Sequence, residues 1–571
     1  MPDATTRHTK SMDDIMALSK RRGFVYQASE IYQGATMGGS GTAIGFNGFW
    51  DYGPLGAQLK KNLRDAWWTD VVMRGCNGQT GPGGEPVTIV PVDTCIIQHP
   101  KVWEASGHLA GFADPMQKCS GCGHFVRADH LWDILATQSE WFDSLIQEFT
   151  PLSGDIDSDR LFKWARTKGK KLAPNLALVR NPEVTMSWLS TRIQGQPDAP
   201  PDLKEIIRHL ATEQLNQTGL RDPCPRCGGT LEDPISFNLM FKTSIGVTAR
   251  EEDTAYLRPE TAQGIFINFK NVVDTTRVGV PFGIAQTGKA FRNEVTPRNF
   301  TFRSREFEQM EIEFFCHESQ ARDWYVFWRD WRMQWWKDLG LAGDNLILRE
   351  HDADELAHYA KEGAGTSDVE YRFPFTDPGF GELEGIAHRA DYDLRQHKEH
   401  SGAKLEYFDP TRGEPAKNGQ PKGERYLPHV IEPSAGLDRG VLAVLCEAYS
   451  VDESRASPEF MKIHPRLAPI KAAVFPLVKK DGMPEKARAL HADLRRRFGH
   501  LGAIDYDEKQ SIGKRYARMD EAGCPMCITI DGDTLEDDTV TLRDRDTGAQ
   551  RRVAMDKAGA ALAETLGIDA G

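Results

Sequence analysis

Few cysteines, no long apolar run and no excess of positive charge limit what this 571-residue sequence can encode. Ten cysteines are too sparse for a disulfide-stapled scaffold. No uninterrupted apolar run approaches the roughly 18 residues that a membrane span requires. The formal net charge of -13 argues against a general electrostatic affinity for nucleic acid, so any such contact must be local. We therefore expect neither a membrane nor DNA as a partner.

The rest of the composition, with 40% hydrophobic and 27% charged residues, is that of an ordinary globular protein. At about 150 residues per domain, the length allows roughly three to four domains. The first residues lack the apolar core of a secretory signal, so we expect a cytoplasmic location.

Composition and periodicity divide the chain into segments. Residues 1–22 are polar, and we expect a flexible tail there. A helix is predicted over residues 54–72, because large apolar residues recur every four positions behind a proline suited to the first helical turn. A strand is predicted at residues 87–92. From residue 467 onward strands alternate with helices, which predicts a separate C-terminal α/β domain.

Two cysteine pairs, each followed by a glycine, have the spacing of zinc knuckles: Cys119 with Cys122, and Cys224 with Cys227. The glycines free backbone amides to approach thiolates, and two such knuckles predict a tetrahedral four-sulfur site for structural Zn²⁺. The alternative is a set of reduced thiols without a metal. The pairs bound an insertion over residues 119–227.

The segment from residue 303 to residue 313 alternates with a period of two, as a strand with two different faces does. Met310, Ile312 and Phe314 fall on the face predicted to enter the core. The opposite face carries Arg303, Arg305, Phe307, Gln309, Glu311 and Glu313. Such a face can receive a phosphate, a flat base and an ammonium group. The alternative, for an isolated strand, is a solvated face with charge pairs.

The sequence around this strand resembles the class II aminoacyl-tRNA synthetases. Phe291-Arg292-Asn293-Glu294, followed by Arg303-x-x-x-Phe307, is similar to their motif 2, and the segment from His429 to Arg439 is similar to motif 3. Four further blocks resemble the glycyl-tRNA synthetases in particular: Arg258-Pro-Glu260-Thr-Ala-Gln263, Trp50 to Gly56, Val102 to His108, and Ser511 to Tyr516. The resemblance covers nearly all of the chain except the N-terminal tail and most of residues 131–222.

The resemblance implies a multidomain fold of the α+β / α/β class. Its parts are a class II catalytic domain built on an antiparallel sheet (23–466), the zinc-knuckle insertion, and a C-terminal α/β anticodon-binding domain (467–571). The predicted helix over residues 54–72 and the predicted strand at residues 87–92 take the place of motif 1, the dimer interface of the family, with Pro91 as the nearest candidate for its proline. The resemblance therefore implies a homodimer.

The implied reaction joins glycine to ATP with release of pyrophosphate, and then passes the glycyl group to the 3′-terminal adenosine of tRNA(Gly). Arg292 is similar to the motif 2 arginine that bridges the substrate carboxylate and the α-phosphate, and Arg439 to the motif 3 arginine at the γ-phosphate. Phe307 is expected to stack on adenine. The other residues expected to border ATP and its Mg²⁺ are Asn293, Glu294, Phe302, Arg303, Ser304, Arg305, Glu382, Leu383, Gly436 and Asp438.

Glycine offers no side chain to hold, so its selection requires a packed wall together with capture of its ammonium and carboxylate groups. Glu260, Glu311 and Glu432 resemble the carboxylates that surround the ammonium in the family. Three carboxylates in one pocket would repel each other when empty, which favours a bound cation. The whole glycine site implied by the resemblance is Arg127, Glu260, Phe307, Gln309, Glu311, Glu432, Ser434 and Gly436.

Basic residues in the C-terminal segment depart locally from the acidic balance of the chain: Arg495, Arg496, Arg497, Lys514, Arg515, Arg551 and Arg552. They could meet the phosphates of tRNA, although neighbouring aspartates leave a solvated face as the alternative.

Two alternative functions stay open. A binding or regulatory protein that keeps the synthetase fold would usually have lost the motif 2 or the motif 3 arginine. A synthetase for serine, threonine, proline or histidine is opposed by the block from Arg258 to Gln263 and by the acidic pocket. The expected partners are glycine, ATP, tRNA(Gly) and a second copy of the chain.

Overall fold

The computed structural model describes the chain except for residues 1–9, 33–46, 149–156, 195–201, 218, 248–249, 251–252, 353–354, 357–359, 361–362, 364, 377–378, 416–421, 456 and 569–571. The chain divides into two compact units. The core unit comprises Met1–Ser106 and Met240–Gly571, and the insertion unit comprises Gly107–Leu239. Among the described residues, no helix combines the length and the apolar character needed to cross a membrane.

A seven-stranded sheet, here called the catalytic sheet, lies at the centre of the core unit. Its strands follow the spatial order Leu346–Glu350, Thr366–Tyr371, Gly381–Ala390, His429–Gly436, Glu306–Cys316, Phe282–Phe291 and Ile89–Pro91. Neighbouring strands are antiparallel, except that the last two are parallel. The antiparallel catalytic sheet expected from the sequence is present.

The alternation of the central strand Glu306–Cys316 is confirmed. Met310, Ile312 and Phe314 are buried in the main hydrophobic core, and helix Ala321–Asp338 packs tryptophans against the same core. The other helices of the core unit before the C-terminal segment are Met12–Arg22, Pro54–Trp67, Gly75–Gly78, Pro100–Ala105, Ala262–Phe266, Phe269–Thr276, Tyr392–Ser401 and Leu437–Ala448. Its small sheets pair Val25–Gln27 with Trp50–Tyr52, Tyr407–Asp409 with Glu424–Tyr426, Tyr449–Val451 with Glu459–Met461, and Ile97–Gln98 with Thr254–Leu257 and Lys242–Ser244.

In the motif 1 region the observed helix matches the predicted one, whereas the observed strand is shorter than predicted. Helix Pro54–Trp67 continues into a π-helical turn at Trp68–Met73, which together cover the predicted residues 54–72. Only Ile89–Pro91 of the predicted strand pairs with the catalytic sheet.

The flexible tail predicted for residues 1–22 is wrong from Met12 onward, and residues 1–9 lie outside the described residues. Met12–Arg22 is a helix in which Ser11 accepts the backbone N–H of Asp14 and Gly23 ends the last turn in the left-handed conformation. Ile15 and Leu18 are buried in the main core. Its apolar residues are confined to Met12 and the segment 15–18, which is a weak sequence signal, but the cap and the core contact suffice for a helix.

The insertion unit has its own core and is wider than the predicted residues 119–227. A three-stranded antiparallel sheet combines strands from both ends of the unit, in the order Phe125–Arg127, Ala113–Lys118 and Ile235–Asn238. Around it lie the helices His108–Gly111, Leu131–Gln138, Glu140–Ile146, Ser158–Trp164, Lys170–Leu172, Ala177–Arg180, Pro182–Gln194 and Leu203–Ala211. Strands Ala113–Lys118 and Ile235–Asn238 lie outside the predicted residues 119–227, and because they pair with each other the unit is wider than predicted.

The C-terminal segment forms a separate five-stranded sheet with its own hydrophobic core. The strands follow the order Ala503–Tyr506, Ile470–Pro476, Met526–Ile530, Thr539–Asp544 and Gln550–Ala554, of which the first three are parallel. The helices are Met483–Phe498, Ile512–Glu521, Gly532–Asp537 and Ala558–Leu566. The predicted order of elements is present, with Gly532–Asp537 as an addition. The domain boundary at residue 467 stays a prediction.

Candidate active site

A cavity of about 320 Å³ opens over the catalytic sheet. Strands Thr366–Tyr371, Gly381–Ala390, His429–Gly436 and Glu306–Cys316 contribute to its walls. The structure brings together, in the lining of this cavity, the predicted residues Glu260, Arg292, Glu294, Phe302, Arg303, Ser304, Phe307, Gln309, Glu311, Glu382, Glu432, Ser434, Gly436, Asp438 and Arg439.

The arginine of motif 2 is held at one side of the cavity. Arg292 donates from Nε to the carbonyl oxygen of Pro259 at 3.0 Å. Its guanidinium lies 5.3 Å from the ring centroid of Phe307, within the range of a cation–π contact. These two contacts hold the guanidinium of Arg292 at the wall of the cavity.

Two residues of the motif 2 loop that were predicted to border the nucleotide, Asn293 and Arg305, are not in the lining of the cavity. Arg305 donates to the carbonyl oxygens of Glu294 and Asn47, both at 2.9 Å, so it holds the loop. Asn293 does not appear in the lining. By contrast, Arg303 reaches the Glu294 carboxylate at 2.7 Å and lines the cavity with it. The loop turns before the strand begins at Glu306, so the period of two does not extend back to Arg305.

The motif 3 arginine lies at the start of helix Leu437–Ala448. Arg439 donates to the carbonyl oxygens of Phe302 at 3.1 Å and Glu382 at 3.2 Å, and its guanidinium lies 4.5 Å from the ring centroid of Phe302. It also pairs with Glu382 Oε1 at 3.1 Å and thereby lowers the pKa of this carboxyl, although burial opposes the shift. Glu382 is thus an ionised carboxylate beside the cavity arginine.

Leu383, the neighbour of Glu382, faces away from the cavity and belongs to the main hydrophobic core. The strand Gly381–Ala390 contains a bulge, because Glu370 pairs with Glu382 while the adjacent Val369 pairs with Glu384. The bulge allows Glu382 and Gly385, three positions apart, both to line the cavity. The side chain of Leu383 therefore does not line the cavity, and the expected place of this residue beside the nucleotide stays a prediction.

Asp438 lines the cavity, but other groups already contact both of its carboxylate oxygens. Oδ2 accepts the backbone N–H of Glu308 at 2.6 Å, and Oδ1 accepts from Lys60 Nζ at 2.8 Å and from the hydroxyl of Tyr52. Burial and this carboxylate raise the pKa of Tyr52 well above its usual value. Asp438 therefore fixes the start of the motif 3 helix against the motif 1 helix and the motif 2 strand.

Three carboxylates in the lining of the cavity are here called the acidic pocket: Glu260, Glu311 and Glu432. Ser434 donates to Glu311 Oε1 at 2.7 Å, and the Thr261 hydroxyl donates to Oε2. Burial, followed by the charge of Glu260, raises the pKa of Glu311. An added cation would offset this mutual repulsion, so the pocket is suited to an ammonium group.

Sequence reasoning missed the arginine that balances the acidic pocket. Arg389 donates to both oxygens of Asp393, at 2.7 and 2.9 Å, and to both oxygens of Glu432, at 3.0 Å each. Burial raises the pKa of Glu432, and Arg389 opposes the shift. The only sequence signal is the spacing of four between Arg389 and Asp393, which is common on solvated helices.

His351 and Asp368 were also missed, and both line the cavity near Glu382. His351 Nε2 lies 2.7 Å from Asp368 Oδ2. Burial, and then the charge of Glu382, raises the pKa of Asp368. Nothing in the local sequence distinguishes these residues, of which His351 follows strand Leu346–Glu350 and Asp368 lies on its partner strand Thr366–Tyr371.

Arg127 lies in the insertion unit, on strand Phe125–Arg127. It pairs with Asp114 at 3.0 Å and with Asp129 at 2.6 Å. These contacts orient the guanidinium within its own unit, and its predicted role toward glycine stays a prediction.

The four predicted zinc ligands, Cys119, Cys122, Cys224 and Cys227, come together in the insertion unit with their sulfur atoms within 4.8 Å of one another. Cys119 Sγ lies 3.7 Å from Cys227 Sγ, and Cys122 Sγ lies 3.8 Å from Cys224 Sγ. The backbone N–H of Gly121 donates to the sulfur of Cys119, and Asn175 donates to that of Cys227. Four thiolate sulfurs with backbone and side-chain donors fit a tetrahedral zinc ion.

Comparison of the sequence with known proteins identifies the family of the chain. Residues 241–507 match the tRNA synthetase class II core domain (G, H, P, S and T), and residues 471–565 match an anticodon binding domain. The chain is 47% identical to the glycine–tRNA ligase of Rhodopirellula baltica, over 95% of this chain and 97% of the relative. It is 42% identical to the glycine–tRNA ligase of Clostridium tetani, over 96% of this chain and 97% of the relative. It is 40% identical to the glycine–tRNA ligase of Thermobifida fusca, over 98% of each chain. The chain belongs to the glycine–tRNA ligase family.

Membership of the glycine–tRNA ligase family decides against the alternatives that the sequence left open. A synthetase for serine, threonine, proline or histidine would belong to a different family. A regulatory relative without the reaction would usually lack a motif arginine, whereas Arg292 and Arg439 both line the cavity. The class II catalytic core and the anticodon-binding domain predicted from the sequence are confirmed.

Proposed function

We propose that this member of the glycine–tRNA ligase family attaches glycine to tRNA(Gly) in two steps, through glycyl-adenylate and with release of pyrophosphate. The observation that carries the proposal is a single cavity whose lining combines Arg292, Phe307 and Arg439 with the acidic pocket. These groups match an ATP with its phosphates and an amino acid with its ammonium.

In the first step, the chain binds and orients its substrates. Phe307 stacks on adenine, Arg292 bridges the glycine carboxylate and the α-phosphate, and Arg439 binds the γ-phosphate. Charge develops on the phosphate oxygens during adenylate formation, so preorganised cations stabilise the transition state without a nucleophilic side chain. ATP arrives with Mg²⁺, and the ionised Glu382 is the carboxylate suited to this ion.

Glycine is selected by charge and by shape. The carboxylates of Glu260, Glu311 and Glu432 attract the ammonium, and Ser434 lies beside them with its hydroxyl donated to Glu311. A residue with a side chain would meet the packed strand His429–Gly436 near its α-carbon. Exclusion of a methyl group by a packed wall is worth about 1 to 3 kcal/mol.

The experiment that tests the proposal is ATP–pyrophosphate exchange with each of the twenty amino acids in turn. Exchange with glycine alone supports adenylate formation from glycine. Exchange with serine or threonine, or with no amino acid at all, contradicts the proposal.

The second step requires tRNA, for which the C-terminal domain supplies basic residues. Arg495 and Arg496 are exposed on helix Met483–Phe498. Arg515 is not available, because it is buried and donates to the carbonyl oxygens of Pro476, Asp507 and Leu477. The proposed anticodon contact therefore rests on the exposed cations Arg495, Arg496, Lys514, Arg551 and Arg552.

The cysteine cluster is proposed to hold a structural Zn²⁺, which would hold together the chain segments near both ends of the insertion unit. Elemental analysis of protein purified without chelators should give one zinc per chain, and Cys224→Ser should lose it. Zinc retained by Cys224→Ser, or absent from the wild type, contradicts this assignment. The Cys76→Ser variant, in which a buried cysteine outside the cluster is changed, is the matched control.

The homodimer implied by motif 1 is also a proposal. Apolar side chains of the core unit remain exposed in the single chain near this region, including Ile96, Ile97 and Ile267. Burial of such side chains against a second copy would remove apolar surface from water. Light scattering coupled to size-exclusion chromatography should give twice the chain mass. A monomer at micromolar concentration contradicts the proposal.

A further inference from the structure

One acidic residue beneath the acidic pocket has no part in the functions described so far. Glu313 lies on the central strand Glu306–Cys316, two residues beyond Glu311, and its side chain is fully buried. Neither of its carboxylate oxygens accepts a hydrogen bond from any residue that the structure describes. An ionised carboxylate buried without a donor carries a large desolvation penalty.

The strand register places Glu313 next to the groups that face the substrate. Glu311 pairs with Ser434 and Phe314 pairs with Ile431, so in the same register Glu313 stands opposite Glu432. Oxygen atoms of Glu311, Glu313 and Glu432 lie within 4.8 Å of one another. Side chains that stand opposite each other on two antiparallel strands are in direct reach.

The available donors serve the neighbours of Glu313. Glu432 and Asp393 accept the four hydrogen bonds of Arg389. Glu311 accepts from Thr261 and from Ser434. These donors stabilise the ionised forms of the neighbouring carboxylates, whereas none of the described donors does so for Glu313.

The ionisable groups facing Glu313 come from three strands and one helix. They are Glu311 on its own strand, Glu432 on the next strand, Arg389 at the end of strand Gly381–Ala390, and Asp393 on helix Tyr392–Ser401. Helix Ala262–Phe266, which packs against the same strand, brings only the uncharged amide of Gln263, bonded to Asp393. Burial, then the charges of Glu432 and Glu311, raise the pKa of Glu313 well above its usual value, and Arg389 opposes them only in part.

We propose that Glu313 is a positioning residue that remains a neutral carboxylic acid and donates its hydrogen to the carboxylate of Glu432. This hydrogen bond and Arg389 would hold Glu432 from two sides, so that its charge is aimed at the ammonium of glycine. The inference rests on the proposed role of the acidic pocket in glycine binding. The proton itself can be observed without any substrate.

The first experiment is infrared difference spectroscopy of the free enzyme at neutral pH. The wild type should show the carbonyl stretch of a protonated carboxylic acid, and Glu313→Gln should lack that band. Glu306→Gln is the matched control, since Glu306 starts the same strand and forms a peripheral ion pair with Lys289. A wild-type spectrum without a band that depends on Glu313 would overturn the proposal, whether or not the enzyme activates glycine.

The second experiment compares Glu313→Gln with Glu313→Leu in pyrophosphate exchange. A glutamine side chain is neutral and can still donate to Glu432, so the KM for glycine should stay within about threefold of the wild type. Leucine cannot donate, and the KM for glycine should rise by at least about tenfold, which equals about 1.4 kcal/mol, while the KM for ATP stays unchanged. Equal losses in both variants would show an ionised Glu313 and refute the inference.

A third measurement needs no activity and remains informative if the leucine variant does not fold. The unfolded chain releases the proton of Glu313 near pH 4.5, whereas the folded protein keeps it to a higher pH. Between these two values the folded state binds more protons, so this residue's contribution to stability falls as the pH rises. The Tm of Glu313→Gln should therefore decline less from pH 6 to pH 9 than that of the wild type. Parallel curves would refute a retained proton.

Discussion

Replacing Arg389 by methionine tests the buried charge network of the acidic pocket most directly. Methionine keeps much of the side-chain length but removes the charge and all four hydrogen bonds to Asp393 and Glu432. The exposed side-chain fractions are 3% for Arg389, 1% for Asp393 and 10% for Glu432, so water cannot replace the lost donors. Removal of one partner from a buried ion pair costs about 3 to 5 kcal/mol. That is a large share of the 5 to 15 kcal/mol by which a folded protein is typically stable.

The same substitution should weaken glycine binding. Arg389 is the contact that opposes the rise in the pKa of Glu432 caused by burial. Without it, Glu432 is more readily protonated and attracts the ammonium less. We expect the KM for glycine to rise by about tenfold or more, with a much smaller change in the KM for ATP.

The assay is a double-mutant cycle with Asp393→Asn, followed by thermal unfolding. Asparagine removes one of the two carboxylates that Arg389→Met leaves without a partner, so the double variant should be more stable than Arg389→Met alone. Arg395→Met is the matched control, because Arg395 forms a partly exposed pair with Asp391 at 3.6 Å, and it should cost at most about 1 kcal/mol. An Arg389→Met protein that unfolds at the wild-type Tm, or strict additivity of the two substitutions, would refute the reasoning.

Three further predictions concern the substrates. Arg439→Ala removes a preorganised cation and should slow pyrophosphate exchange by about 10² to 10³; a near-wild-type rate in folded protein would contradict the role of Arg439. Ser434→Gly should open space beside the substrate α-carbon and raise the kcat/KM for alanine relative to glycine by about tenfold, whereas an unchanged ratio would remove Ser434 from the pocket wall. Arg495→Ala combined with Arg496→Ala should raise the KM for tRNA in the charging assay and leave pyrophosphate exchange unchanged, because a remote contact adds binding more than chemistry. An unchanged KM for tRNA would show that this helix does not contact it.

Local pattern was sufficient to predict the central strand of the site. A period of two sends Phe307, Gln309 and Glu311 to the cavity and Met310 and Ile312 to the core, since successive side chains of a strand point to opposite faces. The alternation of strands and helices after residue 467 was likewise readable from apolar periodicity. In both cases the signal lies within one element.

Local pattern does not determine where side chains lie beyond the end of an element or at a change of strand register. Arg305 precedes the strand, and its backbone belongs to the motif 2 loop rather than to the pleat. Leu383 sits at a bulge that shifts the register, so it enters the core. Arg515 resembles a surface cation in the sequence, yet three carbonyl oxygens bury it. Each of these outcomes depends on a neighbouring segment.

Sequence by itself determined the order of the elements, the two faces of the central strand and the cysteine pairs of the insertion. Tertiary structure alone decided that Arg389 balances Glu432, that His351 and Asp368 reach the cavity, and that Glu313 has no donor among the described residues. The physical reason is that side-chain periodicity is set by each residue's own backbone. Charge balance in a buried site is set by the register between strands that can be far apart in the chain, as Glu311 and Ser434 are at a separation of 123 residues.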